Sequence, residues 1–287
     1  MTESIPRETD RAPRLAFIGG GNMARSLIGG LADEGRAMTS ISVGEPNADL
    51  RAALASDFGV TATADNLQAV EHAEIWILAV KPQAMSVVCQ GLAATAQRNR
   101  PLVISIAAGI TSAQVARWLG GDLPVVRAMP NTPALIGVGM TGLYGNRLVD
   151  ARLRALAQSL LDAVGKTVWI DDESLMDVVT AISGSGPAYF FLLVEALQNA
   201  GEAQGLDAET ARTLCVQTAL GAARMLIESG EPASTLRQRV TSPGGTTAAA
   251  LESLFADHLP ETIDKAIAAA CRRGAELSAS NDREDPQ

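Results

Sequence analysis

The chain has 287 residues, of which 47% are hydrophobic and 19% charged, so it can form a sizeable core and has room for two domains. Its formal net charge is −9, with a pI near 4.8 and no cluster of Lys and Arg, which disfavours nucleic acid as a partner. The three Cys and two His are widely spaced, which indicates reduced thiols and leaves little material for a metal site.

The mean hydropathy of +0.14 raises the question of a membrane segment. The longest charge-free stretch near the middle, Val178–Val194, contains small residues and Pro187, so we expect no uninterrupted apolar span of the ~20 residues that a bilayer requires. Residues 1–14 are polar and fit neither a signal nor a transit peptide. We expect them, like residues 278–287, to be disordered, and we expect the protein to be cytoplasmic.

Short apolar runs alternate with amphipathic stretches in the first half of the chain. The predicted strands are Arg14–Ile18, Ser40–Gly44, Glu74–Val80, Leu102–Ile106, Val125–Ala128, Gly139–Tyr144 and Thr167–Ile170. The predicted helices between them are Asn22–Asp33, Pro82–Gln97 and Val149–Val164. This alternation is typical of βαβ units, so we predict a Rossmann-type α/β domain with a doubly wound parallel sheet over residues 13–170.

From Asp171 onward the pattern is helical throughout. The predicted helices are Glu173–Ile182, Ala188–Gln204, Ala208–Ser229, Pro232–Arg239, Thr246–Ala256 and Pro260–Ser278, which together predict an all-α domain over residues 171–280. The segment Ala188–Val194 (AYFFLLV) is apolar on nearly every side, which an ordinary surface helix is not. We therefore predict that this domain is buried against a second copy of the chain in a homodimer.

The first predicted strand runs into Gly19-Gly-Gly-Asn-Met-Ala24, a G-x-G-x-x-A motif that opens a helix. Gly19 permits a tight turn, Gly21 permits the backbone to approach a pyrophosphate, and Ala24 keeps the helix close to the strand. A glycine motif alone is weak evidence, but the strand before it and the helix after it favour a dinucleotide site over a simple turn.

The second predicted strand leads into Glu45-Pro-Asn47, where such folds read the adenosine ribose. An acid there favours NAD through the ribose hydroxyls, so Glu45 argues for NAD, whereas Asn47 and Arg51 leave room for the 2′-phosphate of NADP. A solvated Glu45 without a ligand is an equally good interpretation. The choice of coenzyme stays open on this evidence.

Three polar segments follow predicted strands at the carboxyl edge of the sheet, where open α/β sheets bind ligands. They are Ala79–Gln83, Ser105–Gly109 and Arg127–Pro133, and a fourth such segment, Ser183–Tyr189, lies in the helical half. Each alone could be a structural turn, but three at one edge favour a site. Lys81 is a candidate acid catalyst or an ordinary strand-end lysine, and His72 and His258 fit surface positions better.

The segment Val240–Leu251 (VTSPGGTTAAAL) places two glycines ahead of a helix that begins near Thr246. Such a helix start offers free N–H groups from Gly245, Thr246 and Thr247 to an anion, and the hydroxyls of Ser242 and Thr247 add donors. A capped helix entered through a Pro-Gly-Gly turn fits the composition equally well.

Five of these segments together resemble the pyrroline-5-carboxylate reductase family, in its order and over nearly the whole chain. They are FIGGGNMA (Phe17–Ala24), AVKPQ (Ala79–Gln83), RAMPNTPA (Arg127–Ala134), SGSGPAYFF (Ser183–Phe191) and VTSPGGTTAAAL (Val240–Leu251). The last motif is specific to the family, whereas the first is shared with many dehydrogenases.

The resemblance implies reduction of 1-pyrroline-5-carboxylate to L-proline with NADPH, or alternatively NADH, in homodimers that can assemble into decamers. It implies a catalytic Thr247 near the ring nitrogen and a substrate site at Ser242, Gly245, Thr246 and Thr247. The cofactor residues that it implies, together with Glu45 and Asn47, are Ile18, Gly19, Gly20, Gly21, Asn22, Met23, Asn66, Ala79, Val80, Lys81, Pro82, Ala107 and Ala108. No metal is expected.

Two other classes of protein share parts of this pattern. A β-hydroxyacid dehydrogenase also joins a Rossmann domain to a helical one, but it needs a catalytic lysine that the stretch from Asp171 to Ala256 does not contain. A non-catalytic dinucleotide sensor is the second alternative, and the intact PGGTT segment disfavours it.

Overall fold

The structure is a computed structural model that describes residues 12–283. The chain divides into two compact units. The sheet unit comprises the residues up to Gly184 together with those from Ala270 on, and the helical unit is Ser185–Ala269.

The sheet unit contains eight strands in the order β3-β2-β1-β4-β5-β6-β7-β8. Their bounds are β1 Leu15–Ile18, β2 Ile41–Gly44, β3 Thr61–Thr63, β4 Ile75–Leu78, β5 Leu102–Ser105, β6 Val125–Met129, β7 Gly139–Gly145 and β8 Gly165–Trp169. From β3 through β2, β1, β4 and β5 to β6, every neighbouring pair of strands is parallel, and the strand order reverses between β1 and β4. A crevice at such a reversal point is where open α/β sheets bind ligands.

Helices cover both faces of this sheet. They are α1 Asn22–Asp33, α2 Ala48–Phe58, α3 Asn66–Val70, α4 Pro82–Asn99, α5 Ser112–Trp118, α6 Ala151–Asp162 and α7 Met176–Val179. Successive residues of β1 alternate between two buried apolar clusters, with Phe17 in one and Ile18 in the other. Because both faces of the central strands are buried, the sequence of each of these strands is a continuous apolar run. The predicted doubly wound class is confirmed.

The structure corrects the sequence prediction at two places in this unit. Strand β7 is antiparallel to β6, because only a short 3-10 turn, Thr132–Ile136, connects them, and a parallel pair needs a crossover of a dozen or more residues. The short strand β3 and the helices α2, α3 and α5 were not predicted. Strand β3 has only three residues, too few to show a period.

The segment predicted as one helix, Glu173–Ile182, consists of a 3-10 turn, α7 and a π-helical turn, Thr180–Gly184, that leads into the next helix. Pro187 lies in the first turn of that helix, where its missing N–H costs nothing, and the helical path is interrupted just before it by a bend at Ser185. By length and composition only, the stretch Glu173–Ala203 is long and apolar enough to cross a membrane, a property shared by the core helices of soluble proteins.

The helical unit is formed by α8 Gly186–Ala203, α9 Ala208–Ser229, α10 Ala233–Arg239, α11 Thr246–Ala256 and the first part of α12 Leu259–Arg283. Helices α8 and α9 pack against each other. Asp207 caps α9 by accepting the N–H of Thr210 at 2.9 Å, and Gly230 ends it with φ +64.

Helix α12 runs into both units and continues to Arg283, so the disordered tail predicted from Ser278 begins too early. In its last turns Leu277 packs against Gly109 of the sheet unit. The predicted polar lead, 1–14, lies almost entirely outside the described residues. The predicted domain bounds, 13–170 and 171–280, stay a prediction.

Candidate functional site

The loop between β1 and α1 has the geometry of a dinucleotide site. Gly19 has φ +97, and a side chain there would also collide with the carbonyl oxygen of Ala79 at the end of β4. Gly21 is the N-cap of α1 without a side-chain cap, and a Cβ built on it meets nothing within 4 Å. An open helix start that backbone can approach closely is what a pyrophosphate requires, so these residues fit the coenzyme.

The loop is tied to its neighbours by backbone hydrogen bonds. The N–H of Gly19 donates to the carbonyl of Gly44 at 2.8 Å, and the N–H of Ala79 donates to the carbonyl of Ile18 at 2.8 Å. The ends of β1, β2 and β4 therefore form one frame, and Asn22 and Met23 begin α1 directly above it.

Glu45 is buried, with 8% of its surface exposed, and both of its carboxylate oxygens accept backbone N–H groups. Oε2 accepts from Gly20 at 2.8 Å and Oε1 from Asn47 at 2.8 Å. Gly20 has no room for a side chain, because a Cβ would lie 2.7 Å from Leu54 and 3.2 Å from Cγ of Glu45. Glu45 thus binds the glycine loop to the end of β2.

Asn47 caps α2, since its Oδ1 accepts the N–H groups of Asp49 and Leu50. Four residues later, Arg51 points back toward the end of β2. Its Nη1 donates to the carbonyl oxygens of Glu45 and Pro46, both at 2.8 Å. Both residues predicted to contact the ribose, Glu45 and Asn47, therefore already accept hydrogen bonds from backbone N–H groups, and the guanidinium of Arg51 lies beside them.

The remaining cofactor candidates also lie at the carboxyl edge of the sheet. Asn66 begins α3 beside Gly44, and Lys81 is the exposed N-cap residue of α4, with Pro82 in its first turn. Ala107 follows β5, is buried, and directs its N–H toward the hydroxyl of Ser105 at 3.5 Å, with Ala108 next to it. The sheet unit thus gathers all the predicted cofactor residues at one edge.

A second cluster joins the RAMPNTPA and SGSGPAYFF motifs within the sheet unit. The Asn131 amide donates to the carbonyl of Ser183 at 3.1 Å and accepts the N–H of Met140 at 2.9 Å. Ser183 belongs to the π-helical turn, a rare conformation that is frequent at functional sites. Asn131 therefore fixes this turn to the sheet.

One polar network was missed by the sequence reasoning. Arg127, 4% exposed in the middle of β6, lies 3.3 Å from Asp177 and 3.7 Å from Glu173. Glu173 also accepts the N–H of Ser112 at 2.6 Å and its hydroxyl at 2.7 Å. Burial raises the pKa of Tyr144, and the nearby carboxylates of Glu173 and Asp172 raise it further. An Arg inside an apolar strand is the signal that could have predicted such acidic partners.

The helical unit carries the PGGTT loop, with Gly244 at φ +70 and Gly245 as the N-cap of α11 without a side-chain cap. One detail of the prediction is wrong: the N–H of Gly245 is not free, because it donates to the carbonyl of Ser242 at 3.0 Å. The N–H groups of Thr246 and Thr247 have no acceptor among residues 12–283. Two donors and the Thr247 hydroxyl thus remain at this helix start.

Fold and site together define a Rossmann-type dinucleotide-binding protein with a separate helical unit. Residues 14–109 match the family described as NADP oxidoreductase, coenzyme F420-dependent, and residues 173–277 match the family described as pyrroline-5-carboxylate reductase dimerisation. Among residues 12–283, no group of three or more His, Cys, Asp and Glu side chains is placed to hold a metal ion.

Individual relatives give the same picture. The chain is 51% identical to the pyrroline-5-carboxylate reductase of Pseudomonas aeruginosa over 93% of its length and 97% of the relative. A solved pyrroline-5-carboxylate reductase from Coxiella burnetii superimposes with a TM-score of 0.90 at 44% identity, covering 93% of this chain and 99% of that one. The Plasmodium falciparum pyrroline carboxylate reductase with NADP bound reaches a TM-score of 0.82 at 29% identity, covering 93% and 98%. The chain belongs to the pyrroline-5-carboxylate reductase family, and the resemblance inferred from its motifs is confirmed.

Proposed function

We propose that this protein reduces the C=N bond of 1-pyrroline-5-carboxylate to give L-proline, with NADPH or NADH as the reductant. The observation that carries the proposal is a pair of helix starts that lack a side-chain cap: α11 begins at the PGGTT loop and α1 begins at the glycine loop. The first suits a small carboxylate and the second a dinucleotide. Bound coenzyme would supply the hydride.

The coenzyme would lie along the carboxyl edge of the sheet unit. The residues that would hold it are those of the glycine loop, Ile18 to Met23, and of the strand ends around it: Glu45, Asn47, Asn66, Ala79, Val80, Lys81, Pro82, Ala107 and Ala108. The backbone frame that joins β1, β2 and β4 keeps these groups in place before anything binds. Such preorganisation reduces the free energy lost on ordering the site.

In the helical unit, the N–H groups of Thr246 and Thr247 would bind the substrate carboxylate, with Ser242 and Gly245 shaping the turn. The Thr247 hydroxyl would bond the ring nitrogen and orient the imine. A protonated imine is already electrophilic, so positioning its carbon at near-attack distance supplies most of what the chain must add. The reaction therefore needs no Ser-His-Asp set and no paired carboxylates.

We propose that the working form is a homodimer, which assembles further into a decamer, and that it acts in the cytoplasm. The dimer is supported by the match of residues 173–277 to a dimerisation family and by the exposed apolar side chains of α8. We also propose that residues 13–170 act as the dinucleotide-binding domain and residues 171–280 as the dimerisation and substrate-binding domain.

Absorbance at 340 nm tests the proposal directly. Purified protein mixed with 1-pyrroline-5-carboxylate should oxidise NADPH or NADH, with proline formed in equal amount. Binding of coenzyme without its oxidation would refute the reductase function and support the sensor alternative. Reduction of NAD+ or NADP+ by a β-hydroxyacid, without oxidation of NADPH or NADH by the imine, would support the β-hydroxyacid dehydrogenase alternative.

A further inference from the structure

We propose that Arg51, and not Glu45, distinguishes the two coenzymes, by binding the 2′-phosphate of NADPH. The acid that ends the second strand of a Rossmann fold usually reads the ribose hydroxyls. In this chain the acid is engaged elsewhere and a positively charged fork lies next to it. The inference extends the proposed function and rests on it only in taking a dinucleotide as the ligand.

Glu45 is poorly placed to read a ribose. It is 8% exposed, and its two oxygens are directed at the backbone N–H groups of Gly20 and Asn47, each at 2.8 Å. A buried carboxylate requires such partners, because without them its desolvation is costly. Turning it toward a ligand would break both bonds and release the glycine loop, so Glu45 acts as a positioning residue for the pyrophosphate loop.

Arg51 has the opposite arrangement. Its Nη1 donates to the carbonyl oxygens of Glu45 and Pro46, which uses both hydrogens of that nitrogen and fixes the plane of the guanidinium. The N–H groups on Nε and Nη2 have no acceptor within the part of the chain that the structure describes. They form one edge of the guanidinium fork, whose geometry matches two oxygens of a phosphate.

Arg25, another cation of the sheet unit, is not available in the same way. Arg25 of α1 forms an ion pair with Asp57, and its guanidinium lies 4.9 Å from the centre of the Phe58 ring. Asn47 also has its side-chain oxygen engaged, in capping α2. Arg51 therefore has both a positive charge beside the end of β2 and free N–H donors, and its hydrogen bonds to Glu45 and Pro46 hold the guanidinium in place.

Calorimetric titration of the full-length protein tests this without any turnover. The ligands are NADP+, NAD+ and the fragments 2′,5′-ADP and 5′-AMP, which differ from each other in the 2′-phosphate. Arg51→Gln should weaken NADP+ and 2′,5′-ADP binding by about ten- to a hundredfold, the loss expected for charge-assisted hydrogen bonds. NAD+ and 5′-AMP should change by less than about twofold, and Arg51→Lys should recover part of the loss.

Two further variants separate the roles. Glu45→Gln keeps an acceptor for one N–H but places a donor against the other, so it should weaken NADP+ and NAD+ by the same factor. Arg147→Gln, which removes an exposed arginine of the same unit, should change neither affinity. Equal losses of both coenzymes in Arg51→Gln, or a selective loss of NAD+ in Glu45→Gln, would overturn the inference. Binding of neither dinucleotide to the unaltered protein would instead refute the coenzyme site of the proposed function.

Discussion

The two units of this protein differ in what they bury. In the sheet unit, strands β1, β4 and β5 are inaccessible along their whole length, and side chains as large as Trp76 and Phe17 are fully covered. In the helical unit, Ala211 is the sole buried hydrophobic residue. Its large apolar side chains are exposed instead, with Phe190 at 70% and Phe191 at 67%.

This difference shows that a single chain stabilises only one of its units by its own core. Burying one Phe or Leu side chain contributes roughly 1.5–3 kcal/mol, so leaving a dozen of them in water forgoes most of what would hold five helices together. The helical unit therefore depends on a surface supplied from outside the chain, as its match to a dimerisation family indicates.

Breaking that surface should have the largest effect. The double variant Phe190→Asp/Phe191→Asp places two charges on α8 where a second copy would bury apolar rings, so we expect monomers and a loss of more than about a hundredfold in reductase activity, given the several kcal/mol of burial removed. Light scattering after size exclusion measures the oligomer. The matched control, Asn199→Asp, adds a charge to the same helix at an exposed polar residue and should remain dimeric. A dimeric, active double variant would contradict the role of this face.

In the sheet unit, the corresponding test is the buried ion pair network. Arg127→Met removes the cation that lies between Glu173 and Asp177, so the free energy of unfolding should fall by about 3 kcal/mol because two partly buried carboxylates lose their partner. Arg147→Met removes an exposed pair with Asp122 and should cost less than about 1 kcal/mol. Denaturant unfolding measures both, and equal losses would show that burial of the network contributes nothing.

Thr247→Ala should separate the function of the helical unit, turnover of the substrate, from that of the sheet unit, binding of the coenzyme. It removes the hydroxyl proposed to bond the ring nitrogen while leaving the sheet unit unchanged, so turnover should fall by about ten- to a hundredfold. The dissociation constant for NADPH, measured by fluorescence titration, should stay within about twofold. Thr247→Ser keeps the hydroxyl and should recover most of the activity. Unchanged turnover in the Ala variant would remove Thr247 from the mechanism.

The smallest effect concerns the thiol in the core of the sheet unit. Burial raises the pKa of Cys89 from 9.0 to about 12, so folding favours the protonated thiol. Its contribution to stability is complete below pH 9 and is lost as the pH rises from 9 toward 12. At pH 10 the protein should lose about 1.4 kcal/mol relative to pH 8 beyond the change seen in Cys89→Ala. Guanidinium unfolding at the two pH values measures this, and parallel changes would contradict it.

Much of the sheet unit could be predicted from sequence because its signals are local. Helix α1 was predicted with its bounds, since Gly21 opens it and a regular apolar stripe follows. Helix α2 was missed although Asn47 and Asp49 form a good start, because the apolar stripe of that helix is weak and Leu54 is its single buried residue. Strand β7 was predicted, but its antiparallel direction was missed, because strand direction depends on the connection and not on the strand itself.

The candidate site also has features that local sequence reveals and features that only the tertiary structure reveals. Residue type and spacing were enough to predict that the glycine loop and the PGGTT turn each precede a helix start, as the structure has them. For the PGGTT turn they left a ligand site and a simple capped turn equally open. The engagement of Glu45 with Gly20 and Asn47 could not be found, since an acid at the end of β2 has the same sequence whether it faces a ribose or a backbone amide. Tertiary hydrogen bonds decide that question.

The end of α12 has a consequence for the order in which the protein is made. Residues from Ala270 on belong to the sheet unit, and Leu277 packs against Gly109 while Gly274 lies against Asp177. A chain leaving the ribosome usually folds its N-terminal domain first. Here the sheet unit lacks part of its packing until all of Ser185–Ala269 and helix α12 have been synthesised, so its final folding step waits for a helix that is made after the whole helical unit.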